Sequence, residues 1–432
     1  MTDSDYQSSR GLFDLHYGWV ILAVAVLTVM GCLGLARFGY TMILPAMQSD
    51  LALSNTQTGG LATGNFVGYL ALAVIGGAIA SRYGARRVIG ISMFLAGVTM
   101  MLTGVASSFQ TALVWRVLTG IGSGGSNVPV MSVLPAWFSP RRRGLAAGMA
   151  VGGSGLALII TGLLVPQLLE GFGANGWRYS WLVLGASVVG LGVLAFVLLR
   201  DRPEEKNLRP IGAEPQSAPT AVGAGLAPNP APRSIAPLKW GRVYRSGVIW
   251  HLALVYVAFG FSYVIYATFF AKYLQSEAGY TKEAAGSLWA VVGWLSIFSG
   301  LAWGALSDRI GRKYGLALVY LAQAVCYLVF ALWHAPVGYT VSAILFGLTG
   351  WSIPGIVAAA CGDYVGPSLA PAALGFVTLF FGIGQAVGPS VAGAFADATG
   401  SFGPAFLVAA SVALLGSVGS LLLRRPLDEP SL

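Results

Sequence analysis

The fold class this sequence predicts is an all-α membrane protein, with twelve transmembrane helices in two pseudo-symmetric six-helix bundles. Three observations predict it. First, only 9% of the 432 residues are charged while 56% are hydrophobic, and mean hydropathy is +0.73. A soluble globular chain carries about 25% charge, so this composition excludes a water-soluble enzyme and a disordered scaffold alike. Second, twelve apolar runs each approach the roughly 20 residues a helix needs to cross a bilayer. Third, landmarks of the first half recur in the second at one constant offset.

The runs are justified in chain order. The first covers 17–43 and holds Arg37 inside it, in Ala36-Arg37-Phe38-Gly39-Tyr40. The second (57–80) carries Asn65 and Tyr69, and leads through Gly77 to Arg87 into the third (88–107). The fourth (111–138) contains Arg116 and Asn127; the fifth (144–168) is glycine-bearing, and the sixth is 177–199. The second half supplies 247–272 with Tyr263 and Tyr266, 284–306 with Trp289, and 314–333. It ends with 338–362 with Trp351, 371–394 with Gln385, and 401–423. The 59 glycines suit helices that approach closely without a hydrophobic force between them. Cys32, Cys326 and Cys361 all lie in runs, which gives no sign of a disulfide framework. Met1 to Gly11 shows no cleavable signal, so the first run is expected to be retained.

Between the sixth and seventh runs, 200–245 differs from everything around it. It holds eight prolines (203, 210, 215, 219, 228, 230, 232 and 237) with Glu204, Glu205 and Lys206 near its start. Such a stretch buries too little apolar surface to order itself and reads as a cytoplasmic linker. It divides the chain into an N-terminal bundle (1–199) and a C-terminal bundle (246–432). The halves also read as repeats: Gly77 to Arg87 matches Gly304 to Lys313 with Ser81 opposite Asp308, an offset of 227. The same offset carries Gly120 to Gly347, Pro140 to Pro367, Gly148 to Gly375 and Gly155 to Gly382. Six-span parallel repeats describe a transporter architecture.

Formal net charge is +9. In a soluble protein that would suggest nucleic acid; here its placement reports topology. With both termini inside, twenty of the 25 cations fall in cytoplasmic segments, including Arg82, Arg86, Arg87, Arg141, Arg142, Arg143, Arg309, Arg312 and Lys313. This obeys the positive-inside rule, and the inverse orientation is rejected. The expectation is a multi-pass cell-membrane protein, in a bacterial inner membrane, with no nucleic-acid partner.

Gly304 to Lys313 fits the loop signature G-x-x-x-D-R-x-G-R-K of the major facilitator superfamily, and Arg116-Val-Leu-Thr-Gly120-Ile-Gly122 resembles that superfamily's R-x-x-x-G-x-G. The resemblance extends from His16 to Arg425. It implies two six-helix bundles around a central cavity that opens alternately to each side. Tyr17-Gly18-Trp19-Val20, Arg142 to Gly148, and Gly176-Trp177-Arg178 further resemble the bacterial monocarboxylate and oxalate–formate transporters. The chain departs from that pattern too. Animal monocarboxylate carriers place Asp and Arg on the eighth span, and the oxalate–formate exchanger places cations on the eighth and eleventh. Both spans lack those charges here.

A charge inside a span costs several kcal/mol unless it meets a cavity or a partner. Arg37 lies about seven residues beyond the middle of its run, roughly 10 Å outward at 1.5 Å per residue. Arg116 falls in the same outer half. Their forked guanidiniums match a carboxylate, against the alternatives of snorkelling or a bond to helix carbonyls. All sixteen Asp and Glu fall in termini, loops or span ends. A cationic cargo would need an acid in the cavity, so an anion fits better. The substrate-binding candidates are Arg37, Tyr40, Asn65, Tyr69, Arg116, Asn127, Tyr263, Tyr266, Trp289, Trp351 and Gln385. They lie on spans that, by resemblance, line the cavity. Asn65 and Asn127 stand out because a buried amide needs partners.

By the same resemblance, the gating candidates are Ser81, Arg82 and Gly84, with Asp308, Arg309, Gly311 and Arg312. In the superfamily the loop Asp latches the cytoplasmic gate; Ser81 can cap a helix but carries no charge. An asymmetric latch, with an easier inward-open state, follows from that mismatch.

The reading is a secondary transporter for a small organic anion, foremost a monocarboxylate, working as a monomer among membrane lipids. Protons are a candidate coupling ion. His16, His251 and His334 sit near span ends and make poor relays, so proton symport, anion exchange and uniport stay open. The alternatives are an exporter of hydrophobic compounds, though the fifth span lacks the Gly-Pro pair of antiporters, or a non-transporting membrane sensor. No phosphate loop, metal cluster or nucleophile–base pair is evident, so no enzyme activity, cofactor or metal is expected.

Overall fold

The computed structural model describes residues 16–139, 142–212, 241–366 and 369–424. The termini, the middle of the proline-rich segment (213–240), and Pro140 and Pro367 of the repeat lie outside the described residues.

Twelve long helices account for the described chain, as the apolar runs predict. In the first half they are α1 (Tyr17–Asp50), α2 (Asn55–Tyr83), α3 (Ala85–Gly104), α4 (Phe109–Trp137), α5 (Arg143–Gly171) and α6 (Gly176–Leu198). The second half adds α7 (Gly247–Ser276), α8 (Lys282–Ile310), α9 (Arg312–Leu332), α10 (Pro336–Val365), α11 (Ala370–Thr399) and α12 (Gly403–Leu421). Ten are long and apolar enough singly to cross a membrane, and α2, bent by 46° between Ala73 and Ile75, makes an eleventh. The remaining helix, α4, is rich in glycine and serine and packs against α2 and α3. The protein is an all-α multi-pass membrane protein of two six-helix bundles. Among the described residues the sole β-type pairing is one bridge, Phe138 to Ile211.

Local chemistry sets the helix ends. Ser54 accepts from the Gln57 amide while the Gln57 side chain accepts from Ser54, a reciprocal cap that satisfies two end donors. Thr281 accepts from the Ala284 amide at the start of α8. The interior of α1 is unusual: Met30–Phe38 winds as a π-helix. This rare winding is enriched at functional sites. It carries Arg37 on one side, while Gly34 packs so tightly on Ala157 that an added Cβ would lie 2.0 Å from its Cβ.

The 227-residue offset holds in the backbone. Positive-φ residues recur in pairs at Ala52 and Gly279 (49° and 72°), Gly84 and Gly311 (88° and 94°), and Gly173 and Gly400 (55° and 74°). The caps Ser54 and Thr281 obey it. So do Asp50, which accepts from the Trp177 indole and the Arg178 guanidinium, and Glu277, which accepts from Ser401 and the Phe402 amide. In both halves an acid ending the first helix therefore grips the start of the sixth.

Within the halves α2 packs on α4, α3 on α6, α7 on α11 and α12, and α9 on α12. Between them α2 meets α11, α5 meets α8, and the second part of α1 meets α7. One face of the molecule carries the arginine-rich turns around 82–87, 142–143 and 309–313, here termed the basic face. The opposite end is the far face.

The expectation that all of 200–245 stays unordered is corrected for its start. Residues 199–212 fold back over the basic face of the first half, where Leu199 and Ile211 are buried. The Trp137 indole donates to the Arg200 carbonyl, and Ile211 exchanges backbone hydrogen bonds with Trp137 and Ser139. His16 contacts the Arg209 carbonyl at 3.1 Å, a tether rather than a relay. Composition averaged over 46 residues hid these few apolar anchors at one end.

Candidate functional site

The site forms where the π-helical stretch of α1 meets α2, α4 and α7. A narrow cleft there is lined by Arg37, Tyr40, Thr41, Asn65, Arg116 and Thr268, among others. Arg37 is 8% exposed. Its guanidinium lies between the rings of Phe66 and Tyr69, 4.6 and 4.4 Å from their centroids, which partly offsets its desolvation. The Tyr263 hydroxyl of α7 lies beside it. Nε and Nη2 of Arg37 have no hydrogen-bond partner. Buried donors of a charged group are rarely left so. Nε and Nη2 together carry three N–H bonds that nothing accepts, on a positively charged side chain that lines the cleft.

Arg116 is differently placed. It is fully buried, with its guanidinium 5.0 Å from the ring centroids of both Tyr40 and Trp181. Its Nη1 donates to the Ala36 carbonyl at 2.8 Å. The bond to a helix carbonyl weighed for Arg116 is present, and it pins the backbone next to Arg37. Asn65 Nδ2 donates to the Arg116 carbonyl at 3.1 Å, leaving Oδ1 unpartnered.

The structure brings several other candidates to this centre. Tyr40 donates to the Thr58 carbonyl at 2.9 Å. Asn127 donates to the Tyr69 hydroxyl at 2.9 Å and so holds the ring that covers Arg37. Gln385 donates to the Tyr263 hydroxyl. Trp351 packs edge-on to Phe38, centroids 5.7 Å apart, which joins α10 to the neighbour of Arg37. Tyr266 and Trp289 do not join them. Tyr266 is fully buried among Phe270, Tyr327, Phe330 and Phe346, with its hydroxyl on Ser342. Trp289 is fully buried against Phe270. Both are core aromatics of the second half, because hydrophobic periodicity does not distinguish a cavity wall from a bundle interior.

Sequence reading missed Thr41, Phe66 and Thr268. Phe66 was findable, since it stands three residues before Tyr69 on one helix face. A threonine in an apolar run carries no comparable signal.

At the basic face the gating candidates split by half. Asp308 pairs with Arg312, which also reaches Asp363 at 3.1 Å and Ser307 at 2.8 Å. Arg309 ends α8 beside them, and Gly311 supplies the turn. The Ser81 hydroxyl, which could cap a helix, donates instead to the Ala78 carbonyl of its own helix. The acid at this loop is Asp201, from the folded-back segment, which accepts from the Arg86 amide at 2.9 Å beside the positive-φ Gly84. Arg82 lies over the Tyr83 ring.

Residues 26–370 match the family model described as Major Facilitator Superfamily. The chain is 26% identical over 407 residues to the "Probable sulfoacetate transporter SauU" of Cupriavidus necator, covering 89% of both chains. It is 27% identical over 415 residues to Monocarboxylate transporter 11 of Homo sapiens, covering 94% of this chain and 82% of that one. In fold it is similar to the crystal structure of a bacterial homolog to the human lysosomal transporter Spinster, in its inward-facing and unoccupied conformation. The TM-score is 0.72 at 18% identity, over 97% of this chain and 100% of that one.

Proposed function

Since the chain belongs to the Major Facilitator Superfamily, we propose that it is a secondary transporter moving a small organic anion by alternating access, foremost a monocarboxylate. The observation that carries this reading is Arg37, a buried cation at the cleft whose Nε and Nη2 have no hydrogen-bond partner. No acid lies within hydrogen-bonding reach of it among the described residues. A carboxylate would supply the missing charge and accept one hydrogen bond from Nε and one from Nη2, a geometry suited to the guanidinium fork. Tyr69 and Phe66 would close over the pair, with Asn127 and Gln385 holding the hydroxyls around it. Arg116 lines the same cleft, also without an acid partner among the described residues and with its Nε unpartnered, so the site favours an anion. The relatives named for sulfoacetate and monocarboxylate transport support an acidic organic cargo.

The rest of the reading follows from charge placement. The basic face is cytoplasmic, the protein sits in a bacterial inner membrane as a monomer, and residues 200–245 join the two bundles on that side. Coupling is by symport with a proton or by anion exchange.

Uptake of labelled lactate, pyruvate, oxalate, formate and sulfoacetate into proteoliposomes, with and without a pH gradient, tests the reading. The expected result is saturable uptake of at least one monoanion, accelerated either by an inward proton gradient or by an internal anion. Pumping of lipophilic cations with no anion uptake would overturn it.

A further inference from the structure

We propose that Asp397 is the latch that holds the far face shut: from α11 of the second half, its carboxylate caps α2 of the first. The first turn of a helix leaves its amides without partners inside the helix. Ser54 serves the Gln57 amide. The preceding two are served from across the molecule: the Asn55 amide donates to Asp397 Oδ1 at 2.9 Å and the Thr56 amide to Oδ2 at 2.8 Å. The Thr56 hydroxyl donates to the same Oδ2 at 2.6 Å. One carboxylate thus takes three hydrogen bonds, charge-assisted and aligned with the helix dipole.

The surroundings are built for this contact. Gln48 of α1 donates to the Asn55 side chain at 2.9 Å and to the Leu53 carbonyl at 3.1 Å, which fixes the start of α2. Two glycines let the backbones touch beside the carboxylate. A Cβ on Gly59 would lie 2.2 Å from the Pro389 carbonyl oxygen, and one on Gly393 would lie 2.2 Å from that of Asn55. One turn deeper, the Thr63 hydroxyl donates to the Ala386 carbonyl at 2.6 Å. The ion pairs Asp50–Arg178, Asp308–Arg312 and Asp363–Arg312, by contrast, each stay within one half. Asp397 is where a formal charge of one half holds the backbone of the other. Opening the far face separates α2 from α11, so releasing this carboxylate belongs to that step.

The latch rests on the alternating-access reading, but its test needs no substrate. Spin labels at Ser107 and Val337, exposed near the far-face ends of the two halves, would report their separation by double electron–electron resonance on the full chain in lipid nanodiscs. The unsubstituted latch should give one dominant short distance. Asp397→Ala should raise a longer-distance population about tenfold, and Asp397→Asn, which keeps one carbonyl acceptor, should raise it less. If Asp397→Ala cannot be purified folded, Asp397→Asn decides alone. Distributions unchanged in the variants that fold would overturn the latch. Failure of every anion to be transported would instead overturn the reading of function and leave this result standing.

Discussion

Arg37 is held where water scarcely reaches, between two aromatic faces and without a counter-ion. The faces attract the cation but accept none of its N–H groups, so the arrangement binds the side chain and leaves Nε and Nη2 unpartnered. That difference separates it from Arg116, which also lies against two rings but donates through Nη1 to Ala36, leaving only its Nε unpartnered. In the proposed site, Arg37 offers the larger set of free donors and Arg116 holds the backbone beside it. Arg37→Ala should therefore abolish anion uptake at normal expression, while Arg37→Lys, keeping charge but losing the fork, should raise KM about tenfold. Uptake kinetics in proteoliposomes check both, and unchanged transport in the Ala variant would remove Arg37 from the site. Arg37 was legible as a charge inside an apolar run; its free donors were not, because they depend on rings from α2.

At the scale of elements, α1 and the basic-face loops show what a one-dimensional reading loses. The apolar run of α1 was plain, but the π-helical winding of Met30–Phe38 was not. The loop between α2 and α3 was read as lacking an acid because Ser81 stands opposite Asp308. Its acid comes instead from Asp201, more than a hundred residues on, because 199–212 folds over the first half. In the second half Arg312 binds two acids of its own half. Ser81→Asp would place a second carboxylate where Asp201 already caps. We expect it to reduce labelling of a single cysteine placed between the two halves on the basic face, by strengthening closure on that side. Labelling unchanged from the parent would show that Asp201 already does this work.

Across the whole molecule, the 227-residue repeat governs the fold. Turns, caps and end-of-helix acids recur in register, so each half is built to one plan. Function needs the halves to differ, and they do: the aromatic cluster around Tyr266 belongs to the second half, and the unpaired cation to the first. Charge placement carries the proposed orientation, with the basic turns in the cytoplasm. A cysteine at Ser107, with the three native cysteines replaced, should react with an impermeant maleimide on intact cells. A cysteine at Arg87 should react only after the cells are opened. The reverse pattern would invert the topology.

By itself the sequence determined the class of protein, the twelve spans, the repeat and the two arginines to weigh inside them. Each is a local or periodic property: apolar length, charge placement and recurrence survive being read along a line. Tertiary structure alone decided which aromatics wall the cleft, which arginine stays free, which part of 200–245 folds, and what closes the far face. Those outcomes depend on partners tens to hundreds of residues apart. Asp397 looks like any acid at a span end until α2 is brought against it, and only then does a backbone amide lie close enough for its carboxylate to hold.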